Sequence, residues 1–165
     1  MLTLAELFWF HGLPAEVLAE IEAGSHDRHV ARGQLILERG APGDSVLFVL
    51  SGHVLAVQWT EGGREIVYRD IAPGSAFGEL SVLSGMPRSL SLYARTACVL
   101  LEMPGALLSE LMERQPQLRQ VVIRDLVRRI HDLTQRVQEL TALDVEERLR
   151  AHLLRLSLEQ GGLEP

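Results

Sequence analysis

From about residue 29 to residue 103, apolar side chains recur at every second position. The runs are cut by turn signals at Arg32-Gly33, Gly40-Ala41-Pro42-Gly43-Asp44, Ser51-Gly52, Glu61-Gly62-Gly63-Arg64 and Pro73-Gly74. Period two is the repeat of a strand with one face inward, and Gly or Pro between such runs closes turns. Residues 46–50, 53–60, 65–71, 89–95 and 97–103 are predicted strands. Several short strands at this spacing fold as an antiparallel sandwich or barrel. One stretch interrupts the pattern. Residues 77–89, FGELSVLSGMPRS, combine a flexible Gly78, an acid at Glu79, small hydroxyl residues and one cation, Arg88. Gly78 lets the backbone approach a ligand, the residues after it can open a short helix whose N–H groups face an anion, and Arg88 can grip phosphate oxygens in pairs. That set suits a small phosphorylated sugar, with Glu79 accepting from a ribose hydroxyl. The short helix is expected over the mouth of the barrel, where small ligands often bind.

Composition excludes several classes. The chain has 165 residues, 47% hydrophobic and 23% charged, enough for one domain with a sizeable core plus an appendage. No apolar run approaches the ~18 residues of a membrane span, and the N-terminus MLTLAELFWFHG lacks a basic flank and a cleavage site, so a cytoplasmic protein is expected. The single Cys98, within the apolar run ACVLLEM, allows no intrachain disulfide and no iron–sulfur cluster on the chain's own thiolates. A buried structural thiol is expected. A formal charge of −6 argues against DNA binding by this chain alone, because such affinity comes from Lys and Arg on phosphates.

Helical patterns flank the strands. Leu4, Leu7 and Phe8, then Val17, Leu18 and Ile21, form two short amphipathic runs, with Pro14 suited to the first turn of the second helix and Gly24 to the position just past its end. Phe8, Trp9 and Phe10 either make a ligand platform or dock this lead-in on the core, and docking is the expectation. Residues 104–113 read as a short helix. A long helix opens at Pro116, with Ile123, Leu126, Ile130, Leu133, Val137 and Leu140 spaced alternately by three and four on an otherwise charged surface. That stripe is a heptad seam, which either packs on the chain's own barrel or pairs with a second copy. Around Leu143-Asp144-Val145 the helix should break. Asp144 with Glu147 starts a last helix bearing Leu149, Leu153 and Leu156, stopped by Gly161-Gly162.

The stretch with Gly78, Glu79, Leu80, Arg88 and Ser89 at this spacing resembles the phosphate-binding cassette of cyclic-nucleotide-binding domains. LILERGAPGDSVLFVLSGHV is similar to the strand–turn–strand signature of the same family. The resemblance runs from roughly residue 4 to residue 160 and points to the sensor domain of transcription regulators like the cAMP receptor protein. It implies a mainly β fold with helices: an antiparallel jelly-roll barrel, short N-terminal helices and a long C-terminal dimerisation helix. The implied division is residues 1–115 for the barrel with its lead-in, 116–143 for the dimer helix and 144–165 for the hinge and first helix of a truncated DNA-binding domain. DNA contact is therefore expected only through a C-terminal domain outside this chain.

The resemblance also implies roles. Arg88 takes the cyclic phosphate, against the alternative of a surface arginine paired with Glu79 or another acid. Glu79 takes the ribose, against an exposed turn acid. Gly78, Leu80 and Ser81 complete the cassette, with Ser81 giving an N–H or hydroxyl to the phosphate. Ser89 either reaches the phosphate or base or is an ordinary strand residue, and Leu90 stands where a small Ala is frequent and so crowds the pocket. On the long helix, the adenine-contacting positions fall on Leu133 and Thr134. Leu133 has no hydrogen bond to give, while Thr134 either reaches a purine from the partner subunit or is a surface residue. The expected effector is cAMP first and cGMP second, since Ser89 can satisfy a guanine edge.

Other chemistry is weakly represented. His26 and His29 have a metal-like spacing but no third ligand nearby, and solvated histidines are expected. His11 and His53 lie in no haem motif, although relatives of this fold sense gas with haem. With no nucleophile motif, paired carboxylates or Walker-type loop, no enzyme and no metal site are predicted. The alternatives to a cyclic-nucleotide regulator are a regulator of the same fold that senses haem or another metabolite, and a regulatory module of an enzyme or channel.

Overall fold

The strand at Ser45–Ser51 is buried along almost its whole length, Val46 to Val49 being at most 1% exposed. A run with no polar face must be covered on both sides, and the arrangement of the chain follows from that need. The structure is a computed structural model that describes residues 1–59, 65–142, 150, 153 and 154. In chain order it has a 3-10 turn at Leu4–Glu6, α1 (Ala15–Gly24), β1 (His26–Val30), β2 (Leu35–Leu37), β3 (Ser45–Ser51), β4 (Val54–Trp59), β5 (Glu65–Ile71) and β6 (Ala76–Phe77). There follow α2 (Glu79–Ser84), β7 (Ser91–Ala94), β8 (Cys98–Pro104), α3 (Gly105–Arg114) and α4 (Pro116–Ala142).

The strands form two four-stranded antiparallel sheets, ordered β1-β8-β3-β6 and β2-β7-β4-β5. This is the expected antiparallel barrel with a helical lead-in and a long C-terminal helix. Leu47 pairs with both Phe77 and Glu102, and Val49 pairs with Leu100, so these residues share one face. Together with Val30 of the same sheet, that face meets Ile36, Val54, Ala56, Ile71, Leu92 and Ala94 in a single apolar core. Cys98 lies in the same core as a buried free thiol, as expected.

The other face of β3 carries Phe48, which the lead-in covers. Trp9 meets it edge-on at 5.5 Å between ring centroids, and Phe10 meets it at 4.7 Å. Trp9 and Phe10 therefore dock the lead-in, as expected, whereas Phe8 is 48% exposed and takes no part in the core. Pro14 is the N-cap of α1 and Gly24 its last residue.

Three strands escaped the period-two reading. β1 has the sequence HDRHV and buries fully only Val30, β2 is three residues with a register shift, and β6 is two residues long. By internal contacts the chain divides into Met1–Gln120, which holds both sheets, and Val121–Pro165, which holds most of α4. In the second unit Ile123, Ile130, Leu133 and Val137 are each more than half exposed. Leu126 is only partly exposed, and Val127, which the heptad spacing passed over, is 47% exposed and widens the stripe. The Leu140 side chain and the last helix expected from Asp144 lie outside the described residues.

Phe48 joins the lead-in to the barrel, so Phe48→Ala is expected to cost about 3–5 kcal/mol of unfolding free energy. Urea denaturation would show this as a lower midpoint at unchanged slope.

Candidate functional site

The cassette begins where β6 ends. Gly78 adopts φ +84°, a left-handed conformation that turns the chain from β6 into α2. A Cβ there would stand 2.7 Å from Arg88 Nη1, so the position excludes a side chain on conformational and steric grounds together. Gly43, in the loop before β3, has the same logic in space alone: a Cβ would lie 2.1 Å from Ser81 Cβ. The loop is thus pressed directly on α2. It also holds Arg88 by its backbone, since Arg88 N–H donates to Ala41 O at 2.9 Å and Gly40 N–H donates to Arg88 O at 2.8 Å.

The Arg88 side chain is only 4% exposed. Its Nη1 donates to Gly78 O at 2.6 Å, and its Nη2 to Ser45 O at 2.9 Å and more distantly to Ser45 Oγ at 3.3 Å. Burial pulls its pKa below the ordinary arginine range, and the carboxylates of Asp44, Glu102 and Glu79 oppose that shift. The Arg88 Nε–H is buried and has no acceptor among the described residues. An unsatisfied buried donor costs about 1–3 kcal/mol, and more on a charged group. This edge of the guanidinium is enclosed, and an oxygen anion admitted to it by a shift of the groups above would remove that cost, so the donor set fits a phosphate group.

The structure brings Gly78, Glu79, Ser81 and Arg88 into one locus. Glu79 is 2% exposed, which removes the reading of it as an exposed turn acid, and the burial of Arg88 removes that of a surface arginine. Leu80, 53% exposed, and Ser89, also exposed, lie on the outside of the cassette. Leu90 is partly buried against the barrel core. Thr134 and Leu133 belong to α4, both exposed, and Thr134 Oγ donates to Ile130 O at 2.9 Å. Two contributors were missed from sequence: Ser45, whose carbonyl and hydroxyl both serve Arg88, and Glu102, whose Oε1 accepts from Ser45 Oγ at 2.9 Å. The available signal was one acid, Glu102, in the inward register of an otherwise apolar strand.

Among the described residues no cluster of three or more His, Cys, Asp or Glu could hold a metal ion. His53 Nδ1 lies 3.0 Å from Asp70 Oδ1, which engages one ring nitrogen of that haem-ligand candidate, and His11 is exposed. No described helix is long and apolar enough to cross a membrane.

With this geometry in place, comparison with known proteins is direct. The profile of the cyclic nucleotide-binding domain family matches residues 27–115, and the chain belongs to that family. It is 27% identical over 158 residues to a CRP-like cAMP-activated global transcriptional regulator of Mycobacterium tuberculosis, covering 96% of this chain and 70% of that protein. A cyclic nucleotide-gated potassium channel of Mesorhizobium japonicum is 33% identical over 112 residues, 68% of this chain and 30% of the channel. Among solved structures, the catabolite activator protein of Thermus thermophilus superposes with a TM-score of 0.71 at 28% identity, covering 81% of this chain and 62% of that one. The chain thus spans less than two thirds of that solved protein.

Gly78→Ala should force about 1–2 kcal/mol of left-handed backbone strain and also displace the Arg88 guanidinium. The expected result is a lower melting temperature together with loss of whatever anion binding the wild type shows in the same thermal-shift assay.

Proposed function

We propose that this chain is the ligand-sensing and dimerisation part of a transcription regulator that binds a cyclic nucleotide, cAMP in preference to cGMP. The observation that carries the reading is the buried Arg88 guanidinium with an Nε–H that no atom of the described residues satisfies. Arg88 takes the cyclic phosphate, Glu79 the ribose, and Gly78, Leu80, Ser81 and Ser89 form the rest of the cassette. The charge balance supports a cyclic ester. One guanidinium faces the influence of three carboxylates, so a phosphodiester with one negative charge is tolerated better than a terminal phosphate with two.

Base preference is read from Thr134 in the partner subunit. Its hydroxyl proton is committed to Ile130 O, which leaves its lone pairs to accept. Adenine presents an amino donor at position 6, whereas guanine presents a carbonyl oxygen there. The exposed stripe Ile123, Val127, Ile130, Leu133 and Val137, with Leu126 at its margin, supports pairing of two copies through residues 116–143. Burying each such side chain is worth about 1.5–3 kcal/mol. The mycobacterial regulator is matched over 70% of its own length and the channel over 30%, which supports a regulator over a channel module. DNA would be contacted by a further domain, in the cytoplasm. Ligand controls it only by binding one arrangement of the dimer better than the other.

Titration calorimetry should show saturable binding of cAMP and weaker binding of cGMP to the wild type. Arg88→Ala is expected to lose at least about tenfold in affinity, the scale of a hydrogen bond to a charged group, and undiminished binding would sink its role. Thr134→Val should weaken cAMP by about two- to tenfold and leave cGMP unchanged. In sedimentation velocity the wild type should run as a dimer and Ile130→Glu as a monomer; a monomeric wild type refutes the proposed interface.

A further inference from the structure

Behind Arg88 lies a chain of polar contacts that the cassette itself does not contain. Arg88 Nη2 donates to Ser45 Oγ, and Ser45 Oγ donates in turn to Glu102 Oε1 at 2.9 Å. The other carboxylate oxygen, Oε2, accepts from Arg28 Nη1 at 3.2 Å and lies 3.8 Å from His26 Nε2. Arg28 is itself fixed, its Nη2 donating to Ile36 O at 3.1 Å. Ser45 begins β3, Glu102 sits opposite Leu47 on β8, and His26 sits opposite Glu102 on β1, so the contacts cross three strands of one sheet.

Glu102 occupies the register that Leu100 and Leu47 fill with apolar side chains. An aliphatic residue there would continue the core without the desolvation cost of a carboxylate, so stability alone does not account for the acid. Its geometric effect is specific. By accepting the Ser45 hydroxyl proton, Glu102 turns the Ser45 lone pairs toward Arg88. Ser45 then presents two acceptors, Oγ and its carbonyl oxygen, to one Nη group, while Gly78 O engages the other. Three acceptors define the plane of the guanidinium and leave Nε–H over.

We propose that Glu102 is a positioning residue for ligand binding: acting through the Ser45 hydroxyl, it fixes the Arg88 guanidinium so that its Nε–H is held ready for a phosphate oxygen. This rests on the reading of Arg88 as the phosphate ligand. The gain is preorganisation, because a rotamer-rich side chain already held in its bound plane loses little freedom when the ligand arrives.

The test compares wild type, Arg88→Ala, Ser45→Ala, Glu102→Ala and Glu102→Gln by calorimetry with cAMP, each checked for folding by thermal unfolding. The mobility of the Arg88 guanidinium is followed by nitrogen-15 NMR without ligand. Glu102→Ala and Ser45→Ala are each expected to weaken cAMP by roughly three- to tenfold, the scale of one hydrogen bond. Their double variant should be no worse than either alone. Glu102→Gln keeps an oxygen for the Ser45 hydroxyl and should recover most of the affinity, which a charge or folding defect would not. The Arg88 guanidinium signals, held distinct in the wild type, should average by faster rotation in Glu102→Ala. If Arg88→Ala loses cAMP while Glu102→Ala keeps both wild-type affinity and wild-type guanidinium signals, this inference alone fails. If Arg88→Ala binds as the wild type does, the cassette reading fails and takes this inference with it.

Discussion

A cation with 4% of its surface exposed, held by two backbone carbonyl oxygens, is the constraint on which the rest of the barrel end depends. Removing a charge from water costs several kcal/mol even after relaxation, and only close acceptors offset that. Hydrogen bonds to charged groups are each worth about 1.5–3 kcal/mol, so the carbonyls of Gly78 and Ser45 must stay where they are for Arg88 to stay buried. That requirement explains the left-handed turn at Gly78 and the close seating of the loop at Gly43 on Ser81. It also explains why both backbone groups of Arg88 bond the loop at Gly40 and Ala41.

The precision this demands comes from β3. Its two faces are committed to different partners, Leu47 and Val49 to the barrel core and Phe48 to the aromatic lead-in. A strand clamped on both faces has no freedom to slide, since a shift of one residue would exchange the faces. Ser45 begins this strand, so the acceptors offered to Arg88 stand on a backbone packed on both faces. The apolar lead-in, which touches no part of the cassette in sequence, thereby contributes to its geometry.

What could be read from sequence follows from how local each feature is. β3, β4, β5 and β8 announce themselves by apolar patterning, whereas β1 does not, because its side chains are mostly polar and exposed. β6 is too short to show any period. The same distinction divides the site. Gly78, Glu79, Ser81 and Arg88 lie within one segment with a recognisable spacing, and the structure joins them. Ser45 acts largely through a carbonyl, which every residue possesses, and Glu102 reaches the site only through sheet pairing. Local pattern carries nothing for Ser45, and for Glu102 it shows only an acid out of place in an apolar strand, not what that acid meets. On α4 the heptad template chose Leu126 and passed over Val127 because it fits a single narrow line, while the exposed stripe is wider than that line.

The charge of the chain sharpens what such a site must do. A formal charge of −6 gives no long-range attraction for an anionic ligand, and the carboxylates of Asp44, Glu102 and Glu79 act on the buried Arg88. At physiological ionic strength exposed charges are screened beyond about 8 Å, so the distant acids weigh little and the near ones decide. Affinity must then arise at contact, from a donor already desolvated and oriented, rather than from steering. A surface arginine would offer the same charge but would first have to shed its water and choose a rotamer. Burying Arg88 among carbonyls meets both costs during folding, and the donor it leaves unsatisfied is the part of that arrangement a ligand can complete.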